Sequence, residues 1–295
     1  MKNNKFVAFG LTPVFICIII FMIVPIVWGL ALSFTDYKPL SQETNFVAMD
    51  NFKSLFADKT FLTAMNNTLV FVFVTVAVNI VITLLIAQFI CTLGSNKTRS
   101  LLRMIFFMPC VAPLVASSIV WKQMYSTKYG LINTALNTLF NTPHQNWLGN
   151  PDTLLPAIIV FTLWADIGFN IIVFSAGMDG IPATFYEAAN IDGAGRFQKF
   201  FFVTLPLLRR TFAFVLTMTM ISHFQMFAQF DVMTRVGNSS GGPANAGMVM
   251  TLDIYKTAFK YKDMGYASSM AMILLIIILV CAIISQRLNR ANWSY

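Results

Sequence analysis

Apolar residues dominate six blocks of the chain, at about 7–34, 67–92, 101–121, 154–178, 205–232 and 266–286, and polar residues gather between them. A bilayer core about 30 Å thick takes roughly 20 residues of helix. The pattern therefore predicts an all-α integral membrane fold of about six transmembrane helices in a single domain, 1–295. The first block, FVAFGLTPVFICIIIFMIVPIVWGLALSF, runs well past the apolar core of a removed leader and reads as a retained span. The third is interrupted by Pro109 and Pro113 in FFMPCVAPLVASSIVW, which predicts a kink whose freed backbone groups need a neighbouring helix or a wet cavity. The fifth grows polar toward its end.

Between the blocks, Phe52, Leu55, Phe56, Phe61, Leu62 and Met65 recur at helical spacing and predict short surface helices leading into the second span. YGLINTALNTLFN has the same character, and NSSGGPANAG reads as a turn region. Lys2, Lys5, Lys97, Arg99, Arg103, Arg196, Lys199, Arg209, Arg210, Arg287 and Arg290 fall at the termini and in two alternate connections, more densely than the basic residues of the longer, acid-containing loops. The positive-inside rule then places both termini and the 179–204 loop in the cytoplasm.

Composition agrees: the chain is 57% hydrophobic and 11% charged, with 29 phenylalanines, which suits a polytopic membrane protein and not a soluble globule. Its net charge of +8 is scattered through short connections, without the basic stripe and stacking aromatics of a nucleic-acid binder, so nucleic acid is not expected as a partner. Cys17, Cys91, Cys110 and Cys281 lack metal-ligand or redox spacing and read as small hydrophobes. Neither a metal site nor a nucleophile–base pair is indicated, and an enzyme is not expected.

Polar groups inside apolar spans are costly and mark function by default. In the fourth block Thr162, Asp166 and Asn170 stand four residues apart on one helix face. The fifth block holds Thr217, Thr219, Ser222, His223, Gln225, Gln229 and Asp231 beside Phe224 and Phe227. Hydroxyl, amide and carboxylate groups near aromatic faces suit a sugar, whose hydroxyls need donors and acceptors while its C–H faces pack on rings. Thr162, Asp166, Asn170, Thr219, Ser222, His223 and Gln225 are thus the candidate substrate path. Two alternatives stand beside it: Asp166 as a structural partner of His223 or of an arginine on another subunit, and a proton relay through Asp166 and His223 in a proton-coupled secondary transporter. Asn79 and Gln88 read as helix contacts, and His144 as a solvated loop residue.

In the 179–204 loop, Thr184 and Glu187 have the spacing of a capping box. This predicts a helix from Phe185 to near Asp192, ended by Gly193 or Gly195 in the left-handed conformation. Ala188 and Ala189 flatten one face, which suits either a lever for a partner protein or simply a well-capped helix.

Glu187-Ala188-Ala189, then Gly193, Val203 and Leu205-Pro206, resembles the EAA motif of the membrane subunits of binding-protein-dependent ABC importers, with Val203 where the motif usually has Ile. The segments IPATFYEAANIDGAG, FVAMDNFKSLF, LRMIFFMPCVAP, GLINTALN and DMGYASSMA extend the resemblance to the maltose/glycerol-phosphate type of sugar permease over nearly the whole chain. It implies a bacterial-type plasma membrane permease domain that works by alternating access, with a second homologous permease, two ATP-binding subunits and an extracytoplasmic solute-binding protein as partners, a carbohydrate as substrate and lipid around it. It also implies that Glu187, Ala188, Ala189, Asp192, Gly193 and Gly195 form a coupling helix docked on the ATPase. The positions around Cys110, Leu114, Thr162, Asp166, Thr219, Ser222 and His223 align with its path-lining helices. No GxxxxGK[ST] occurs, so this chain is expected to bind no cofactor, with ATP and Mg on the partner ATPase.

Overall fold

A computed structural model describes residues 4–41 and 43–288; Lys2, the Lys5 side chain and Arg290 of the orientation argument lie outside the described residues. The described chain is helical throughout, with isolated bridges at Thr35–Phe46 and Val236–Ser239 in place of any strand. In order, the helices are α1 (Asn4–Ile18), α2 (Val24–Leu32), α3 (Asp50–Ala57), α4 (Lys59–Thr92), α5 (Asn96–Val111), α6 (Leu114–Met124), α7 (Leu131–Phe140) and α8 (Pro151–Asp179). There follow α9 (Ala183–Ile191), α10 (Arg196–Lys199), α11 (Leu205–Leu207), α12 (Arg209–Phe224), α13 (Ala228–Thr234), α14 (Met250–Tyr255) and α15 (Met264–Leu288).

Among the described residues, four helices are long and apolar enough to cross a membrane: Gly10–Leu32, Lys59–Thr92, Pro151–Asp179 and Met264–Arg287. The count reaches six if each of two bent pairs is one span. In the first pair the axis turns by 92° between α5 and α6, a break where the sequence predicts a kink. Ala112 is extended (φ −71°, ψ 137°) because the ring of Pro113 excludes the α region for the residue before it. In the second pair, Arg196–Leu207 and Arg209–Phe224 meet at 70°, so the fifth apolar block is not one rod. A π-helical segment, Ile19–Ile23, ends two residues before Pro25, whose missing N–H interrupts the α-ladder. The surface helices expected before the second span are α3 and the first turns of α4, whose 34 residues reach about 50 Å.

The chain divides into two compact units. The first comprises Met1–Leu62 with Met250–Ile276. Its loops are tied by Asn51 Nδ2, which donates to the carbonyls of Ser33 (2.9 Å) and Thr35 (2.8 Å), by the Lys38–Asp263 ion pair (3.2 Å), and by Tyr266 Oη donating to Asp58 (3.2 Å). Asp253 is buried here with Oδ2 lacking a hydrogen-bond partner. Burial first, and the Asp58 charge second, push its carboxyl up to about 6 against the opposing effect of Lys256.

The second unit comprises Thr63–Val249 with Ile277–Tyr295. Lipid tails are as apolar as leucine, so helices associate in a membrane through small residues and interhelical hydrogen bonds. Both devices are present. A Cβ on Gly168 would lie 2.1 Å from the Phe106 carbonyl oxygen, and one on Gly177 2.7 Å from Thr211 Oγ1. Thr217 and Ser285 hydroxyls pair at 2.9 Å, and Asn67 Nδ2 donates to the carbonyls of Asn245 (3.0 Å) and Met248 (2.9 Å). Phe71, Phe161, Phe174, Phe224 and Phe230 are fully buried among them.

Candidate functional site

Three elements of the second unit enclose a cavity of about 470 Å³. The broken pair α5–α6 contributes Phe107, Pro109, Cys110, Ala112 and Leu114, α8 contributes Ala165, Asp166, Phe169 and Asn170, and α12 contributes Met218, Thr219, Ser222 and His223. The proline break brings backbone freed from the helical ladder to this wall, as expected where irregular backbone lines a cavity.

Its polar side is a connected network. Asn170 Nδ2 donates to Asn79 Oδ1 (2.8 Å) on α4 and to Thr219 Oγ1 (3.1 Å) on α12, so one amide ties three helices together. His223 Nδ1 lies 2.7 Å from the Thr219 carbonyl, an acceptor, which assigns the proton to Nδ1. In the neutral ring Nε2 is then an acceptor. It is buried without a hydrogen-bond partner and stands 3.6 Å from Asp166 Oδ2, too far for a direct bond. Two acceptors at that distance leave no room for an atom between them and are complementary to separate donors beside them, such as neighbouring hydroxyl groups of one ligand. The ring itself is set by Phe71, whose centroid is 5.9 Å away.

Asp166, Asn170, Thr219, Ser222 and His223 therefore come together on one cavity, as do Cys110 and Leu114. Thr162 and Gln225 are not on its wall. Thr162 is buried with its hydroxyl donating to the Ile158 carbonyl (2.8 Å) one turn back, and Gln225 is the exposed residue that ends α12. Phe107, Phe169 and Met218 also line the cavity, apolar positions that no polar signal in the sequence marks. Phe169 stands three residues from Asp166 and Met218 adjoins Thr219, so helical spacing around the polar residues was the available signal. Asn79 is a helix contact as expected, and His144 Nδ1 is bound to the Thr127 carbonyl at 2.9 Å while remaining exposed.

Beyond the C-terminus of α8 lies α9. Its N-cap position is Pro182 (φ −57°), not Thr184, and no side chain caps it. Proline already holds the φ a helix start needs, so the helix begins before the Thr184–Glu187 pair and the expected capping box does not form. Glu187 is exposed and, among the described residues, makes no side-chain hydrogen bond or ion pair. The other end follows the glycine expectation: Gly193 has φ +73°, its N–H donates to Asn190 O (3.1 Å) and Ala194 N–H to Ala189 O (2.9 Å), the paired bonds of a Schellman cap. Gly195 has φ −71° and instead opens α10, its N–H bound by Gln198 Oε1 at 2.7 Å. Ala189 faces inward, whereas Glu187, Ala188, Ile191, Asp192, Gly193 and Gly195 are exposed. Tyr186 Oη, 2.9 Å from Thr204 Oγ1, and Lys199, bonded to Asn190, hold the helix against the segment that follows it.

Residues 79–293 match the family described as "Binding-protein-dependent transport system inner membrane component". An arabinooligosaccharides transport system permease protein of Bacillus subtilis (strain 168) is 32% identical, the match covering 94% of this chain and 86% of that protein. A diacetylchitobiose uptake system permease protein of Streptomyces coelicolor is also 32% identical, over 97% of this chain and 82% of its own. Among solved structures, a chain of a bacterial ABC transporter involved in the import of the acidic polysaccharide alginate superposes with a TM-score of 0.85 at 22% identity, covering 99% of this chain and 98% of that one; at this identity the likeness shows the fold.

Proposed function

The chain belongs to the family of binding-protein-dependent transport system inner membrane components and is a multi-pass plasma-membrane permease subunit, itself not an enzyme, of a sugar ABC importer; from that premise we propose that its cavity is part of the sugar path and that α9 couples it to a cytoplasmic ATPase. The observation that carries this reading is α8 itself. One helix presents Asp166 and Asn170 to the cavity and, about 20 Å further along, ends at Asp179 just before α9.

In this reading a second homologous permease completes the path, two ATP-binding subunits hold ATP and Mg, and an extracytoplasmic binding protein delivers the carbohydrate. The termini and the loop holding α9 are cytoplasmic. Closure of the ATPase pair moves α9, α8 follows, and the cavity changes the side on which it opens. The lining residues contain no lysine or arginine, which favours a neutral sugar. Asp166 accepts from sugar hydroxyls, His223 Nε2 accepts from a neighbouring one, and Phe107 and Phe169 offer apolar faces to the ring.

The test is uptake by the complete complex in proteoliposomes. Asp166→Leu and His223→Leu should each reduce uptake while leaving the ATPase bound to the membrane subunits. Wild-type uptake by both variants would remove these residues from the path.

A further inference from the structure

Asp179 ends α8 where the helix dipole disfavours a carboxylate. Two guanidinium groups from α5 hold it there. Arg103 Nη2 is 2.7 Å from Oδ2, and Arg99 Nη1 is 3.5 Å from Oδ1. Arg99 also donates from Nε to the Leu93 carbonyl (2.7 Å) and from Nη2 to the Cys91 carbonyl, both at the C-terminal end of α4. Carbonyls at a helix end lack partners within the helix, so this one side chain satisfies two of them while bridging to α8. Three helix ends thus converge on one carboxylate, four residues before α9 begins. About 16 Å up α8, α5 and α8 meet a second time, backbone against backbone, where a Gly168 Cβ would lie 2.1 Å from the Phe106 carbonyl oxygen.

We infer that Arg99, Arg103 and Asp179 are positioning residues for transport, which lock α5 to the end of α8 so that displacement of α9 moves both helices as one body. Both carry cavity wall: Phe107 and Cys110 on α5, Asp166 and Asn170 on α8. The break at Ala112–Pro113 is then where the moving body parts from α6. No local pattern in the sequence marks this arrangement, because Arg103 and Arg99 stand 76 and 80 positions from Asp179. The inference rests on the reading that α9 meets the ATPase.

The experiment uses the whole complex in proteoliposomes, reading MgATP hydrolysis with and without the cognate binding protein isolated with its bound solute. Asp179→Ala should lower the stimulation by the binding protein about fivefold or more, chiefly by raising hydrolysis in its absence, and the charge swap Arg103→Asp/Asp179→Arg should restore part of it, Arg99 then facing a like charge. A structural role alone would lower both rates together. The second arm joins Arg103→Cys and Asp179→Cys, in a Cys91→Ser background, with a bifunctional methanethiosulfonate spanning the arginine's reach. Stimulation should survive, since the joined helices already move together. Wild-type stimulation in Asp179→Ala would overturn the inference, as would loss of stimulation on cross-linking with recovery on reduction; if Asp179→Ala fails to assemble, the cross-link decides. Failure of the docking reading shows separately, as Glu187→Arg and Gly193→Val complexes that remain fully coupled.

Discussion

Gly168 is the position where one added methyl group meets the least forgiving neighbour. Its Cβ would stand 2.1 Å from the Phe106 carbonyl oxygen and 2.7 Å from Phe107 Cα, both backbone atoms of α5 that no rotamer change can move aside. Restoring an ordinary contact of about 3.2 Å requires α5 and α8 to part by about 1 Å, in an interior packed as densely as an organic crystal. Overpacking of this kind costs about 1–3 kcal/mol, and the backbone nature of both clashing atoms places Gly168→Ala at the upper end. At 1.4 kcal/mol per tenfold, a cost near 3 kcal/mol shifts the folding equilibrium roughly a hundredfold. The assay is the unfolding midpoint of the purified protein in mixed micelles, with Gly10→Ala as the control, since a Cβ there meets nothing within 4 Å. Because the same contact sets the spacing of two cavity walls, uptake by the reconstituted complex should fall as well. A Gly168→Ala midpoint equal to that of Gly10→Ala would refute the close approach.

Asp253→Asn removes a buried carboxyl whose lifted pKa makes the ionised form the disfavoured one; the penalty is absent below about pH 4, grows between 4 and 6 and is complete above 6, so the variant should raise the unfolding midpoint at pH 7.5 and not at pH 4. The rise from 3.8 to about 6 sets an upper bound of about 3 kcal/mol, and equal effects at both pH values would contradict the burial argument. Gly193→Ala should lower thermal stability by roughly 1–2 kcal/mol because φ is +73° there, while Gly195→Ala at φ −71°, with room for a Cβ, should be neutral or stabilising by up to about 1 kcal/mol; equal effects would be inconsistent with the cap. Glu187→Arg should leave membrane insertion and helix content unchanged, because the side chain caps nothing, yet uncouple ATP hydrolysis from uptake; normal coupling would count against α9 as the docking helix.

The hydrophobic pattern carries most of the fold, because a span must be apolar over a fixed length and Gly10–Leu32 (α1 through α2), α4, α8 and α15 satisfy that directly. Proline chemistry marks the break at 112–113 but not its size, which depends on the helices around it. For the site, i, i+4 spacing correctly groups Asp166 with Asn170 and Thr219 with His223, since shared faces follow from helix geometry. Thr162 fits the same spacing and yet lies off the cavity: a threonine in a helix can satisfy itself on the carbonyl four residues back, and Ile158 supplies it. The Thr184–Glu187 pattern misleads for a related reason, as Pro182 starts the helix first. What sequence hides is long-range pairing: neither Asn79 with Asn170 nor Arg103 with Asp179 has any local signature.

The energy source that drives solute through this chain separates an ATP-driven importer from a proton-coupled transporter. Proteoliposomes holding the complete complex, loaded either with MgATP or with an imposed proton gradient, can be supplied with the binding protein and a panel of tritium-labelled neutral oligosaccharides. Accumulation is expected only with MgATP, blocked by vanadate and reduced in Asp166→Leu. Uptake driven by the proton gradient alone, and still dependent on Asp166 and His223, would contradict this expectation.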